Sequence, residues 1–365
     1  MFSFFTIMLG ILLLGHAVAY LVFVALFRDF ANQHLFPIRS IFILLAVSFV
    51  GATFLVREYD SIITQIFYTL AASWVGFLLY IVIAGILFFL IWLVSHFAFP
   101  GVSIVWIGKI LLAIALLVGV YGVYNANTIR VTEYTISLPG LPESWKGRKA
   151  VFVSDMHLGP VRREKFADKV ARKINELNPD IVFDAGDLYD GGTGNAARMI
   201  EPLRGINAPL GYYFVTGNHE EYGDTSVYKN AISNTGIVIL DDQAVEVEGV
   251  RIIGAEYSTT RNAQSLQYVL DRIPAENEMP TILIKHVPFD LDVAESNGIN
   301  LQLSGHTHRA QVWPMMYITR AVYKGYDYGL KNLGALQVLV TDGVGTWGPP
   351  LRVGTNSELV LIRFE

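Results

Sequence analysis

Seven side chains of the types that bind transition-metal ions occur in five short clusters along the C-terminal two thirds of the chain. The clusters are Asp155-Met156-His157, Gly186-Asp187-Leu188-Tyr189-Asp190, Gly217-Asn218-His219-Glu220, Lys285-His286 and Gly305-His306-Thr307-His308. Four imidazoles, two carboxylates and one amide from these clusters are the donor set needed to hold two transition-metal ions around a shared carboxylate. The pattern therefore predicts a centre with two metal ions.

The pairs Asp155-x-His157 and His306-x-His308 have the same spacing. Residues two apart on a strand project their side chains to one face, so both members of a pair can reach one ion. Each pair alone is a weak signal, because such spacings often arise by chance. Their joint occurrence is specific, since each pair lies at a predicted strand end beside a turn marked by glycine.

Each cluster follows the carboxyl end of a predicted strand. These strands are apolar runs at 150–153, 180–183, 212–215, 281–284 and 300–303. In open α/β sheets ligand sites gather at that edge, so residues far apart in the sequence can meet there. Helical spacing between the strands indicates α/β layering, and strands at 336–340 and 359–364 suggest a second sheet. We expect an α/β fold, a four-layer α/β/β/α sandwich.

The clusters in this order resemble the pattern of the calcineurin-like metallophosphoesterase family, which is D-x-H, G-D-x-x-D, G-N-H-E or G-N-H-D, a separate His, and G-H-x-H. Every element is present between Asp155 and His308, so the resemblance covers most of the predicted soluble domain and none of the apolar N-terminal third. The tail at 343–352 also resembles the end of the bacterial membrane-associated branch. The resemblance implies the sandwich fold of this family and hydrolysis of phosphate esters.

The resemblance also implies two metal ions that share the carboxylate of Asp187. The other implied ligands are Asp155, His157 and His308 for the first ion, and Asn218, His286 and His306 for the second. Two cations roughly 3.5 to 4 Å apart need a bridging anion, and a hydroxide held between them is a nucleophile near neutral pH. That hydroxide would attack phosphorus in line with the departing alcohol, while the ions offset charge on the non-bridging oxygens.

The histidine of G-N-H-E is not a metal ligand in the family. By resemblance, His219 is catalytic and either protonates the leaving oxygen or binds the phosphoryl group. The alternative is a structural histidine. Asp190 and Glu220 are expected to orient the ligands rather than to bind metal themselves.

The donor atoms are all nitrogen or oxygen, and the chain has no cysteine, which excludes thiolate metal sites, disulfides and cysteine nucleophiles. Four imidazoles favour Mn, Fe, Zn, Co or Ni over Ca or Mg, which prefer oxygen ligands. The expected cofactors are two divalent transition-metal ions. The sequence does not choose among the metals.

Four apolar stretches, at 2–27, 38–56, 66–94 and 102–124, approach or exceed the roughly 20 residues with which a helix crosses a bilayer. Beyond them the composition becomes an ordinary mixture of charged and apolar residues. We predict a transmembrane region with four helices over 1–127, a metallophosphoesterase domain over 128–365, and a multi-pass location in the cell membrane. Lys and Arg near the span ends are too evenly divided for the positive-inside rule to assign a side to the domain.

A net charge of −5 and a pI ≈ 5.9 give no support for nucleic-acid binding, which usually needs a basic surface. The expected partners are a phosphate-ester substrate and membrane lipids, with the oligomeric state left open. The apolar segment 313–318 directly follows the last cluster. It either covers the core, which is the commoner case, or enters the membrane interface and presents lipid to the metals.

These patterns predict a membrane-anchored, dinuclear phosphoesterase that hydrolyses phosphate monoester, diester or pyrophosphate bonds. A lipid-linked phosphate or pyrophosphate is the preferred substrate class. The second hypothesis is a phosphatase or phosphodiesterase for soluble esters that is only tethered to the membrane. The third is a non-catalytic membrane sensor that binds phosphoryl ligands, and the complete ligand set with His219 present argues against it.

Overall fold

The computed structural model describes residues 2–99, 101–192, 194–276 and 279–365. Residues 1, 100, 193, 277 and 278, which fall within the two predicted domains, lie outside this description. By their contacts the residues form two units, Met1–Tyr124 with Gly348–Leu351 and Asn125–Trp347 with Arg352–Glu365. The first unit is built on helices and the second on two sheets.

Within the described residues, the N-terminal third forms five helices. They are α1 (Phe2–Leu26), α2 (Arg28–Gln33), α3 (Leu35–Glu58), α4 (Ile62–Ala98) and α5 (Val105–Ala126). Among the described helices, four are long and apolar enough to cross a membrane, namely α1, α3, α4 and α5. The prediction of four spans is confirmed at the level of length and composition.

Close contacts join α1 and α4. A Cβ atom at Gly85 would lie 2.5 Å from Cγ2 of Val22, so glycine at this position lets the two helices approach each other. His16 of α1 accepts a hydrogen bond at Nε2 from Trp74 Nε1 of α4, at 2.9 Å, and its Nδ1 lies 2.8 Å from the carbonyl oxygen of Leu12. Because both ring nitrogens have partners within the helices, His16 has a structural role.

The described part of the second unit contains two six-stranded sheets. The strands are β1 (Ile129–Ile136), β2 (Lys149–Val153), β3 (Ile181–Asp184), β4 (Tyr212–Phe214), β5 (Val238–Ile239), β6 (Gln243–Val247), β7 (Val250–Ala255), β8 (Thr281–Lys285), β9 (Leu301–Ser304), β10 (Gly329–Leu333), β11 (Leu336–Val340) and β12 (Ser357–Phe364). The helices are α6 (Glu164–Leu177), α7 (Ala196–Ile200), α8 (Thr225–Ser233), α9 (Ala263–Arg272), α10 (Leu291–Ser296) and α11 (Met316–Val322).

The first sheet has the order β1-β12-β2-β3-β4-β5, and its strands are parallel except where β12 meets β2. The second has the order β10-β11-β9-β8-β7-β6, with antiparallel strands β10 and β6 at its edges. The expectation that 359–364 belongs to a second sheet is wrong, since β12 lies within the first. Its side chains are buried on both faces, as a strand between two neighbours and two layers requires.

Alternating side chains of β2 enter two different cores. Val151 packs in a cluster with Ile174 of α6, on the outer face of the first sheet. Phe152 points the other way and shares a core with Ile284 of the second sheet. The outer face of the second sheet packs on α9 and α10. The order of layers is therefore α, β, β, α, and the predicted four-layer sandwich is confirmed.

Candidate metal centre

The five sequence clusters converge where strands of both sheets end. Strands β2, β3 and β4 of the first sheet lead into the clusters with Asp155, Asp187 and Asn218, whereas β8 and β9 of the second sheet lead into the histidine clusters. Across the two sheets, Nε2 of His157 lies 3.0 Å from Nε2 of His308. The carboxyl ends of strands from both sheets thus contribute to one buried centre.

The first group of donors consists of Asp155, His157 and His308, whose ligand atoms all lie within 4.8 Å of one another. Oδ1 of Asp155 is 3.3 Å from Nε2 of His308 and 3.9 Å from Nε2 of His157. All three side chains are buried. Two imidazole nitrogens and a carboxylate that face one another in a buried site fit a cation held among them.

The second group surrounds Nε2 of His286. This atom lies 3.1 Å from Nδ1 of His306, 3.1 Å from Oδ1 of Asn218 and 3.2 Å from Oδ2 of Asp187. The other ring nitrogen, Nδ1, is 2.6 Å from the carbonyl oxygen of Ala185. A backbone carbonyl at one nitrogen directs the other toward a metal, which is the usual arrangement for a histidine ligand.

Asp187 belongs to the second group and also faces His157 of the first. Its Oδ2 lies 3.2 Å from Nε2 of His286 and 3.8 Å from Nε2 of His157. Its Oδ1 accepts a hydrogen bond of 2.8 Å from the backbone N–H of His219. A Cβ atom at Gly217 would lie 2.2 Å from Oδ1, so only glycine leaves room for the carboxylate in this position.

The backbone is unusual at these residues. A positive φ, uncommon outside glycine, occurs at Asp155 (56°), His157 (50°), Asp187 (56°), His306 (69°) and His308 (46°). Such backbone conformations cost free energy and concentrate at functional sites, where the surrounding structure enforces them. The sharp turns after the strands therefore direct the donor atoms inward.

The charges of the donors suit metal binding. Burial alone would raise the pKa values of Asp155 and Asp187, but the neighbouring imidazoles outweigh burial and hold both pKa values well below the usual range. Burial lowers the pKa of His306 to about 3 and that of His308 to about 4. Burial also opposes charge on His286, yet Asp187 beside it raises its pKa to about 9. Ionised carboxylates and neutral imidazoles are the forms that bind metals, so Asp155, Asp187, His306 and His308 already have the required charge, whereas His286 must release a proton when a metal binds.

Glu220 and Asp190 support the candidate ligands. Glu220 is fully buried and accepts backbone N–H bonds from Asp187, Tyr189 and Gly217 at 3.1, 2.9 and 2.7 Å. It therefore joins the loop after β3 to the loop after β4. Burial, followed by the charge of Asp187, raises the pKa of Glu220 to about 7.

Asp190 lies between two histidines. Its Oδ1 is 3.3 Å from Nδ1 of His157 and 3.3 Å from Nδ1 of His219. The His219 ring is 4.6 Å from the His157 ring. One possible ligand atom from each of His219, His157 and Asp187 lies within 4.8 Å of the other two. His219 thus lies beside His157 of the first donor group.

Three residues near the centre were missed by the sequence analysis. Arg352 places Nη2 at 3.1 Å from Nδ1 of His308. The rings of Tyr222 and Trp347 lie 4.7 and 5.9 Å from the ring of His219. The resemblance of 343–352 to a family tail is the one signal that pointed to two of them, and it assigned no role.

The segment 313–318 covers the core only in part. Trp313, Tyr317 and Ile318 are 44%, 61% and 60% exposed. The segment leads into α11, which follows the last ligand cluster closely and therefore lies at the surface of the domain. Pro314, Met315 and Met316 are half-buried, so part of the segment packs on the domain and part faces outward.

A family model described as calcineurin-like phosphoesterase matches residues 148–310. An uncharacterized metallophosphoesterase of Aquifex aeolicus is 32% identical over 258 residues, which cover 69% of this chain and 98% of that one. One from Helicobacter pylori is 30% identical over 223 residues, 60% of each chain. A Danio rerio transmembrane protein with metallophosphoesterase domain is 32% identical over 267 residues, 69% of this chain and 61% of that one. The chain spans about 60% of the length of the latter two.

The chain belongs to the calcineurin-like phosphoesterase family. It is a hydrolase that acts on ester bonds, as the sequence motifs predicted. Family membership and the two donor groups support divalent metal ions in a dinuclear site. Four apolar helices among the described residues, and relatives named as transmembrane proteins, support a multi-pass membrane protein.

Proposed function

We propose that the domain 128–365 is a dinuclear phosphoesterase anchored in the cell membrane by the region 1–127. The proposal depends on one observation, the position of Asp187 Oδ2 within 3.2 and 3.8 Å of histidine nitrogens from the two donor groups. One carboxylate that faces both groups can hold two cations together. Four imidazoles among the donors favour transition metals such as Mn, Fe, Zn, Co or Ni.

The proposed ligands follow the two groups. Asp155, His157 and His308 hold one ion, Asn218, His286 and His306 hold the other, and Asp187 contacts both. When bound, the two ions supply an activated water as the nucleophile and offset charge on the phosphoryl oxygens. The protein contributes a dry, buried site in which the donor atoms are already positioned.

His219 is the proposed catalytic acid. Its Nδ1 faces Oδ1 of Asp190 at 3.3 Å. Burial opposes the protonated ring, but Asp190 and Asp187 outweigh burial and raise the pKa of His219. A protonated imidazole held in this way donates its other proton to the leaving oxygen, which requires a contact of roughly 2.6 to 3.2 Å with the substrate.

Two variants test this assignment in the full-length, metal-loaded protein. His219→Ala should retain the metal content of the wild type and lose turnover of phosphate esters by roughly 10²- to 10⁴-fold. Asp187→Ala should lose both metal and turnover. Full metal content in Asp187→Ala would remove the basis of the proposal, and a wild type that binds ions but hydrolyses no phosphomonoester, diester or pyrophosphate would favour a sensor.

We further propose a lipid-linked phosphate or pyrophosphate as the substrate class. Tyr317, Ile318 and Val322 on and around α11 are exposed by 61%, 60% and 54%. Directly after them, the ring of Tyr323 lies 6.4 Å from that of His306 and 4.7 Å from that of Phe289, against which it stacks. An exposed apolar surface that leads to the metal centre suits a substrate with an acyl or prenyl chain.

The test replaces both Tyr317 and Ile318 by serine. Hydrolysis of a long-chain phosphate ester in mixed micelles should fall, whereas hydrolysis of a short soluble ester should not change. Val227→Ser is the matched control, since Val227 is 51% exposed on α8 and has no proposed role. Equal effects on micellar and soluble esters would favour the alternative, a tethered enzyme for soluble substrates.

A further inference from the structure

Two aromatic rings lie beside the ring of His219. The Tyr222 ring lies 4.7 Å from the His219 ring at an interplanar angle of 64°, and the Trp347 ring lies 5.9 Å away at 75°. Tyr222 is 59% exposed and Trp347 is 51% exposed, whereas His219 itself is buried. The two rings therefore do not fill a core. They form an open aromatic surface beside a buried imidazole.

The main chain of Trp347 is fixed in place. The side chain of buried Gln311 donates from Nε2 to the Trp347 carbonyl at 2.8 Å and accepts from the Trp347 N–H at 2.7 Å. Two residues earlier, the N–H of Gly345 donates to the carbonyl of Asp155 at 2.8 Å. A Cβ atom at Gly345 would lie 2.2 Å from the carbonyl oxygen of Met156. The loop that carries Trp347 thus packs directly on a metal-ligand loop.

Tyr222 is also held in place. It ends the short 3-10 helix His219–Tyr222, and its hydroxyl oxygen accepts a hydrogen bond of 3.3 Å from Nδ2 of Asn218. That bond turns Oδ1 of Asn218 toward His286. The ring of Tyr222 therefore has a fixed position relative to the second donor group. Large apolar side chains that are both exposed and fixed are typical of binding sites.

Resting on the proposed acid role of His219, we infer that Trp347 and Tyr222 form a subsite that selects a flat aromatic leaving group. His219 must reach the leaving oxygen within hydrogen-bonding distance, so the group attached to that oxygen lies beside the two rings. Aromatic groups pack on Trp and Tyr in edge-to-face or offset arrangements. In the reaction, water adds to phosphorus, the P–O bond to the aromatic alcohol breaks, and the leaving oxygen takes a proton from His219.

The experiment compares phenyl phosphate with cyclohexyl phosphate, whose leaving groups are similar in size but flat and puckered respectively. The full-length, metal-loaded wild type, Trp347→Ala, Trp347→Phe and Tyr222→Phe are assayed with both esters. For each ester, kcat/KM of the variant is divided by that of the wild type, so that the intrinsic reactivities of the esters cancel. Tyr268→Ala is the matched control, since Tyr268 is a 64% exposed aromatic residue of α9 with no proposed role.

Trp347→Ala should lower kcat/KM for phenyl phosphate about tenfold more than for cyclohexyl phosphate. Trp347→Phe and Tyr222→Phe, which retain a ring, should keep most of the preference for phenyl phosphate, and the two Trp347 variants should keep the metal content of the wild type. Equal ratios for the two esters in Trp347→Ala, or loss of its metal, would overturn the subsite while leaving the proposed function intact. A metal-loaded wild type that hydrolyses neither ester nor any other phosphate ester would overturn both.

Discussion

Arg352 directs Nη2 at Nδ1 of His308 from a distance of 3.1 Å. A guanidinium can only donate hydrogen bonds, so Nδ1 of His308 accepts, and in the metal-free protein the ring proton is on Nε2, which faces Asp155 and from which a bound metal would displace that proton. Arg352 is fully buried and also donates to the carbonyl oxygens of Asp342 and Gly345, at 2.7 and 2.8 Å. One side chain therefore holds a candidate ligand and the loop after β11 in a fixed relationship.

Replacing Arg352 by methionine should weaken metal binding. The side chain keeps its length but loses every hydrogen bond, so His308 is no longer oriented, and loss of such support typically costs 10- to 100-fold in metal affinity. Chelator competition on the purified protein measures the affinity. Arg198→Met, at a side chain that is 69% exposed, is the control and should bind metal normally. An unchanged affinity in Arg352→Met would contradict the prediction.

Gly217→Ala should disrupt the candidate metal centre by displacing the backbone that carries Asp187. The added methyl group would lie 2.2 Å from Oδ1 of Asp187 and 2.6 Å from its backbone nitrogen, so the Asp187 loop must move. A displacement of about 1 Å can cost on the order of 100-fold in rate. Metal content and kcat should both fall. Gly205→Ala is the control, because a Cβ atom there meets nothing within 4 Å, and wild-type behaviour of Gly217→Ala would show that the loop is more tolerant than its packing indicates.

Asp184 makes the stability of the metal-free protein depend on pH. This buried carboxyl accepts hydrogen bonds from Tyr212 and from the N–H of Gly186, and burial raises its pKa to about 8. Since the unfolded pKa is near 4, the folded state binds the extra proton between roughly pH 4 and 8, and its stabilising effect is full below pH 4 and lost as the pH rises through 8.

The test compares the wild type with Asp184→Asn, which keeps an acceptor for Gly186 but cannot ionise. Thermal unfolding in detergent with a chelator, from pH 4 to pH 8, should show wild-type stability falling relative to the variant, by an amount on the order of a few kcal/mol at the upper end. Parallel curves for the two proteins would show that Asp184 is ionised in the folded state.

Removal of metal should destabilise the second unit. The carboxylates of Asp155 and Asp187 are both buried and both face the His157 imidazole. Without cations, this concentration of negative charge is offset only by histidines. Ligand binding to the folded state alone adds about 2.7 kcal/mol at a concentration one hundred times the dissociation constant. Adding chelator should therefore lower Tm, and restoring Mn or Zn should reverse the change. Asp187→Ala should show no such response, so a metal-dependent Tm in that variant would place the ions elsewhere.

The sequence indicated that the five clusters meet, because each one directly follows a short apolar strand, and the strand ends of an α/β domain meet. It failed on β12, because the apolar run from Leu359 to Ile362 suits a buried strand in either sheet and does not identify the neighbouring strands. It also failed on Arg352 and Trp347. Their contacts with His308 and His219 are long-range, and a local pattern carries no information about distant partners.

The pairing of β1 with β12 has a consequence for synthesis. Ile129 emerges from the ribosome soon after the last apolar helix, but its partner in the sheet, Ser357, emerges only after nearly the whole domain. Until then β1 has no partner strand, and β2 lacks its neighbour on one edge. Bringing residue 357 back to residue 129 closes a long loop, which is slow. The first sheet therefore cannot be completed until the C-terminal strand has been made, and until then its unpaired strands are exposed to wrong pairing.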